Sequence, residues 1–345
     1  MNQISIVGID LAKHVFQLHA ADERGNKVFS KTVQRDQLRL TLAQLPPCRV
    51  AMEACGSAHY WAREIQALGH ETELLPPQSV KPFVLGHKND ARDAAAIAEA
   101  AARPATPRVA IKTQAQQALQ ALHRVRSRLI RDRTATGNEL RGLMSEFGLI
   151  VSQGHAVMRQ GDVRELLDTQ HEHLGDELHL LLTDLLGQWL ELDTRVNHYD
   201  KRIQALAKAS EQAQQLMSLP GIGPINATLL ISHIGDPARF PNGRQFSASL
   251  GLVPRQYSSG GHVRLKGITK RGNGDVRRQL VHGARAALRQ FQRQEHPDRL
   301  ARWACALASR VGQRKAIVAL ANKLARICWS LLAKGQHYQP QGHVV

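Results

Sequence analysis

The chain opens on short apolar runs punctuated by turn residues and changes to long helical spacing after the first hundred positions. Residues 4–9 form a run rich in β-branched side chains, as expected of a buried strand, and Asp10 ends it. Val15, Phe16 and Leu18 follow a tight connection and lead to a Gly25-Asn26 turn, after which residues 27–33 make a third strand. Leu38, Leu42 and Leu45 are spaced for a helix that Pro46-Pro47 closes. Residues 48–53 read as a strand ending in Glu53, 58–68 as a helix, and 71–75 as a strand stopped by Pro76-Pro77. A hairpin meander followed by strand, helix and strand predicts a mixed α/β sheet with helices packed on it.

The Ala-rich stretch 88–102 is strongly helix-forming, and Asp90 and Asp93, three apart, project from one face of it. Pro104 and Pro107 mark a boundary. Residues 113–147 are helical in pattern, with Arg124, Arg128 and Arg131 sharing a face that reads either as phosphate-contacting or as simply solvated. From Leu178 through Leu182, Leu185, Trp189, Leu192, Val196, Tyr199 and Ile203 to Leu206, apolar residues alternate at spacings of four and three. That predicts a coiled coil, paired with the preceding helix or with a second subunit. Around Pro220-Gly221-Ile222-Gly223, two apolar helical segments form either a helix-hairpin-helix offering the Gly221 and Gly223 N–H groups to a phosphate, or a plain packing unit. Asp275 is expected to cap a last mainly helical region, and a helix over 315–332 precedes a polar tail. The expected domains are 1–108, a helical arm at 109–212, a C-terminal domain at 213–335 and a loose tail at 336–345.

Charge changes the picture. The formal net charge is +17, and residues 213–345 alone hold 20 Lys/Arg against 4 Asp/Glu. That concentration points to a polyanionic partner for the C-terminal third. Cys48, Cys55, Cys305 and Cys328 have no zinc spacing and read as reduced thiols. No apolar stretch is expected to reach membrane-spanning length, and no signal peptide is apparent.

Asp10, Glu53, Asp90 and Asp93 make a set of two strand ends and one helix turn. Hard oxygen ligands of this kind suit Mg²⁺ or Mn²⁺, which stabilise charge on a phosphodiester during displacement. The order of elements is that of RNase H-like nucleases. Actin-like kinases open on a similar hairpin, but the chain has no second Asp-Gly phosphate loop and no Gly-rich adenosine site. The stretch from Val253 to Arg264 carries Tyr257, Ser258, Ser259, Gly260, Gly261 and His262 and reads as a flexible exposed loop. Arg255, Arg264, Lys266, Lys270, Arg271, Arg277 and Arg278 surround it in sequence. A serine there is placed either to attack phosphorus or only to grip a phosphate. A nucleic-acid-binding protein without catalysis would leave the four acids without a role.

The blocks GIDLAKHVFQ, VAMEACG, NDARDAAAIAE, LPGIGPINATLLISHIGD, FSASLGLVPRQYSSGG and TKRGNGDVRRQL span nearly the full length. In these the chain resembles the DEDD transposases of the insertion-sequence 110 family, most closely in spacing its 1111 subgroup. The resemblance implies an N-terminal RuvC-like (RNase H-like) domain, a coiled-coil arm and a transposase domain with a catalytic serine. The tetrad then falls on Asp10, Glu53, Asp90 and Asp93, with Mg²⁺ as the implied cofactor, Mn²⁺ being possible. The serine falls on Ser259, with Ser258 one position away, and His262 is left either to proton transfer or to phosphate contact. Implied partners are donor and target DNA, a non-coding bridge RNA, and further copies of the chain, from dimer to tetramer. A bacterial cytoplasmic, nucleoid-associated location is expected, with no membrane partner. The competing reading is a junction-resolving nuclease that uses activated water, with Ser259 only binding phosphate.

Overall fold

β1 (Ile6–Leu11) runs through the middle of a five-stranded sheet and carries Asp10 near its C-terminal end. β2 (Val15–Ala21) and β3 (Lys27–Gln34) extend the sheet on one side as an antiparallel meander. β4 (Arg49–Glu53) and β5 (Glu71–Leu75) extend it in parallel on the other, giving the order 3-2-1-4-5. This is the mixed RNase H-like sheet that the order of elements predicts. The computed structural model describes residues 3–84 and 89–340, and its chain forms two compact units, 1–115 and 116–345.

In the first unit, α1 (Leu38–Ala43) and α2 (Ala58–Gln66) cover one face of the sheet, burying Val7, Ile9, Phe16, Val50 and Met52. The short α3 (Pro77–Val80) and α4 (Asp90–Ala102) lie against Ile6, Ala51 and Leu75 on the other. The alternation of side chains along a strand sorts these residues between the faces. The helix expected over 88–102 is observed from Asp90; residue 88 lies outside the described residues.

Among the described residues, the regular structure of the second unit is helical apart from one hairpin. α5 (Gln114–Glu146) and α9 (Asp176–Ala209) run antiparallel. Arg126 of α5 pairs with Asp200, Arg133 Nη1 lies 2.5 Å from Asp193 Oδ1, and a Cβ on Gly137 would sit 2.9 Å from Trp189 Nε1. Partners rise along one helix as they fall along the other. The short α6 (Ala156–Arg159), α7 (Asp162–Thr169) and α8 (His171–Leu174) close the far end over Leu140, Met144, Leu182 and Leu186.

The paired seam therefore lies within the chain, and half of it differs from the expected heptad series. Leu182, Trp189, Val196 and Ile203 are buried as expected, but their partners are Leu186, Asp193 and Ala207. Leu206 is 42% exposed. The physical reason is complementarity: α5 offers two arginines and a glycine gap, which fit Asp200, Asp193 and Trp189. Arg159 of α6 adds two hydrogen bonds to Asp193, at 2.6 and 2.8 Å. These, with the bond from Arg133, hold the Asp193 carboxyl below its usual range against the opposing effect of burial.

α10 (Glu211–Met217), α11 (Pro224–Ile234), α12 (Gly243–Ser249), α13 (Gly274–Phe291), α14 (Arg299–Val311) and α15 (Gln313–Lys334) share the largest core. Contrary to the sequence expectation, α15 is long and apolar enough, by length and composition alone, to cross a membrane. Leu320, Ala321, Leu324 and Cys328 are nevertheless fully buried, which makes it a core helix. The stretch expected to be a loose tail is tied down as far as Tyr338. Its N–H donates to Ser218 Oγ at 2.7 Å and its hydroxyl to Asp298 Oδ2 at 3.0 Å. Residues 341–345 lie outside the described residues.

His123 of α5 is buried against α11, with Nε2 3.0 Å from Thr228 Oγ1. That hydroxyl donates to the Pro224 carbonyl at 2.7 Å, so the imidazole is assigned as the donor to Thr228. Burial, then the neighbouring Arg126, push its pKa down to about 4, with Asp275 opposing. An unfolded histidine takes up its proton near pH 6.5, whereas this one stays neutral. The folded state thus keeps this contribution above pH 6.5 and loses it as pH falls toward 4. Urea unfolding from pH 7 to 4 should show wild type losing up to about 3 kcal/mol more than His123→Gln. Parallel pH profiles would refute this.

Candidate active site and nucleic-acid surface

The acidic site begins with a glycine. A Cβ on Gly8 would lie 2.2 Å from the Ala94 carbonyl oxygen and 2.7 Å from the Ala98 nitrogen, so α4 packs directly on the β1 backbone there. Asp10, two residues on, shares the face of Gly8, toward α4. Close approach brings the first turn of α4 over the strand end. Asp10, Asp90 and Asp93 each offer an oxygen within 4.8 Å of the others. Asn89, whose side chain accepts from Ala91 N at 2.9 Å, is the helix N-cap, so Asp90 does not serve as one. The α4 N-terminus offsets part of the negative charge of Asp90 and Asp93.

Glu53 lies outside this tight set. β1 and β4 are parallel with Ile9 opposite Met52, so the next step of the register sets Glu53 beside Asp10. Both are in phase with residues that face α4. Partial burial first, then the charges of Glu53 and Asp10, push the Cys55 thiol above its ordinary range. The register thus puts Glu53 next to Asp10 on the same face of the sheet, outside the tight set of three. Three gathered carboxylates repel one another unless a cation joins them. An all-oxygen donor set of this kind fits a hard divalent ion such as Mg²⁺ or Mn²⁺.

In the second unit, the stretch expected as a flexible loop is a hairpin. β6 (Pro254–Gln256) pairs antiparallel with β7 (Leu265–Ile268). At its tip, Gly260 and Gly261 take φ of 56° and 78°, and His262 N donates to the Ser259 carbonyl at 3.1 Å. Two positive-φ residues between paired strands make a type I′ turn, which a Gly-Gly pair favours. Ser259 flanks the turn. The Ser258 hydroxyl is engaged inside the hairpin, accepting from Gln256 Nε2 at 3.0 Å and more weakly from Arg264 N at 3.4 Å. The Lys266 ammonium sits 4.8 Å from the centre of the exposed Tyr257 ring.

Sequence comparison places both halves. A DEDD-type transposase family model of the IS110 kind matches residues 7–148, and the model of the transposase IS116/IS110/IS902 family matches 213–305. A probable family 20 transposase of Pseudomonas aeruginosa is 46% identical over 98% of this chain and 99% of its own. The transposase for insertion sequence element IS1111A of Coxiella burnetii is 42% identical, covering 98% of this chain and 92% of that one. The transposase for IS1328 of Yersinia enterocolitica is 41% identical over 97% and 98%. The chain belongs to the IS110/IS1111 family of transposases.

In this transposase the DEDD-type match begins in the first unit and runs on through α5, while the hairpin lies in the second unit. The other candidate residues fall into distinct groups. Arg124, Arg128 and Arg131 are all exposed on one stripe of α5, and Arg128 is also paired with Asp132 at 2.8 Å. Arg255, Arg264 and Lys266 lie on the hairpin, with Lys270 and Arg271 exposed at its base. Arg277 is partly occupied as a staple, since its Nη1 donates to the carbonyls of Leu250 at 2.9 Å and Arg271 at 3.1 Å. Arg278 pairs with Asp275 at 2.5 Å.

The two glycines of the α10–α11 turn differ. A Cβ on Gly221, at φ 88°, would lie 2.6 Å from the Gly283 carbonyl, and one on Gly283 2.0 Å from that of Gly221. Gly221 is therefore required by packing against α13. Gly223 is exposed at the start of α11, ahead of Pro224. The sequence reading missed Gly283, Asn89 and the Arg133–Asp193 pair. For the last, a signal existed: Arg126 and Arg133 are seven apart, as are Asp193 and Asp200.

Proposed function

We propose that this transposase cuts and rejoins donor and target DNA through a phosphoseryl intermediate at Ser259, directed by an RNA from its own element. The carrying observation is the hairpin tip. Ser258 spends its hydroxyl inside the hairpin, Ser259 stands at the turn, and Arg255, Arg264 and Lys266 surround it with positive charge.

In the first step the Ser259 hydroxyl loses its proton as its oxygen bonds to phosphorus, and a deoxyribose oxygen leaves with a proton as a free hydroxyl. The hairpin cations stabilise the charge that develops on the non-bridging oxygens. In the second, a deoxyribose hydroxyl of the partner strand attacks the phosphoserine and restores Ser259. Asp10, Asp90 and Asp93, with Glu53 next to Asp10, would hold Mg²⁺. A divalent ion there supplies Lewis-acid stabilisation of the phosphodiester.

RNA guidance has a direct test. Purified protein, supercoiled donor and target plasmids and Mg²⁺ should give junction products only when the element-derived RNA is added. Equal product without RNA would remove RNA from the mechanism.

A further inference from the structure

We propose that a groove beside the acidic cluster binds one unpaired nucleobase of the strand being processed. The groove has a volume of about 640 Å³ and lies between the β1–β2 turn, the end of β3 and the first turns of α2. His14, Arg35, Arg39, Tyr60 and Trp61 are among its walls. That volume lies in the ~300–1,000 Å³ range of sites that enclose a small ligand.

The walls match the chemistry of a base. Tyr60 is 45% exposed although its ring is held edge-on against Trp61, with centroids 5.2 Å apart. An aromatic face kept rigid in the open is a stacking platform, and every base has a complementary π-face. The Arg35 guanidinium is layered 5.3 Å from the Trp61 centroid and 5.7 Å from that of Phe16. Arg35 is oriented by its Nη1 bond to the Lys13 carbonyl at 3.3 Å. Trp61 is itself buried, so it backs the platform from behind while Tyr60 and Arg35 are left to meet a ligand. Gln34, Asp36 and Glu64 place acceptors at the edge, where the exocyclic amines of a base would meet them. Arg39, paired with Glu64 at 3.4 Å on the exposed surface, is positioned to turn to a phosphate.

Location gives the groove its role. The Arg35 N–H donates to the His14 carbonyl at 2.9 Å, so the groove sits at the end of the sheet where β1 carries Asp10. The acids face α4, and the groove opens on the α2 face of the same end. A strand crossing the sheet end would meet both. An extrahelical base seated on Tyr60 would hold the adjoining phosphodiester against sliding. The proposal rests on the reading that nucleic acid is processed at the acidic cluster.

The test uses the full chain and fluorescent oligonucleotides bearing one unpaired base flanked by duplex, in DNA and RNA versions, with matched probes abasic at that position. Wild type should bind the base-containing probe about tenfold more tightly than the abasic one. Tyr60→Ala should erase that ratio, and Tyr60→Phe should restore it. The nucleic acid whose ratio collapses identifies the strand. A wild-type ratio near one, or a Tyr60→Ala ratio equal to wild type, overturns the groove while leaving the acidic site standing. Absence of binding to every probe overturns both.

Discussion

Replacing Asp10 with Asn is expected to lower strand cleavage by this transposase by on the order of 10³-fold or more while leaving the fold intact. Asparagine keeps the volume at the end of β1 but removes a charge from the cluster with Asp90 and Asp93. Metal stabilisation of a phosphoryl transition state amounts to several kcal/mol, and each 1.36 kcal/mol is about a factor of ten in rate. Removing the charge also relieves carboxylate repulsion, so metal-free stability should hold or rise slightly. Cleavage of supercoiled substrate in Mg²⁺ or Mn²⁺ and Mn²⁺ binding followed by electron paramagnetic resonance report the site, and the thermal midpoint followed by circular dichroism reports the fold. Wild-type cleavage by the Asn variant would remove Asp10 from the reaction. Glu53→Gln should have the smaller effect, because Glu53 stands outside the tight set.

The largest expected effect on stability comes from Asp193→Ala in the arm. The substitution leaves the buried Arg133, whose side chain is 9% exposed, without its carboxylate, and frees Arg159 as well. Breaking a buried ion pair from one side costs about 3–5 kcal/mol. Hydrogen exchange should show protection lost first in α5 and α9. The pH sign follows from the lowered folded pKa: the Asp193 contribution is present above the unfolded carboxylate range and fades as pH falls through the folded value. A urea midpoint and exchange pattern like those of wild type would show that the pair contributes little.

The sheet was legible because each strand is a short β-branched or apolar run bounded by turn residues or paired prolines. All four acids could be set together in advance, since strand ends and one helix turn locate them without side-chain detail, and three of them lie within 4.8 Å of one another. What brings them together, the contact of Gly8 with the α4 backbone, has no periodic signal. The arm was half legible. A hydrophobic repeat selects leucines, so it skipped Asp193, whose burial depends on arginines more than thirty residues away. The hairpin was missed for a different reason. Its strands are polar and exposed, leaving Gly260-Gly261 as the only cue, and a glycine pair reads equally well as a flexible loop. Gly221 was open in the sequence between phosphate contact and plain packing, and its close approach to Gly283 adds a packing requirement that no local pattern announces.

The most direct test is covalent trapping. Wild type and Ser259→Ala would be incubated with element-derived RNA, labelled donor and target DNA and Mg²⁺, then resolved on a denaturing gel and digested for mass spectrometry. A labelled protein–DNA adduct is predicted in wild type, mapping to the peptide that contains Ser259, with none in the variant. Cleavage by Ser259→Ala at the wild-type rate, with no adduct in either protein, would contradict a serine nucleophile and assign the chemistry to water at the acidic cluster.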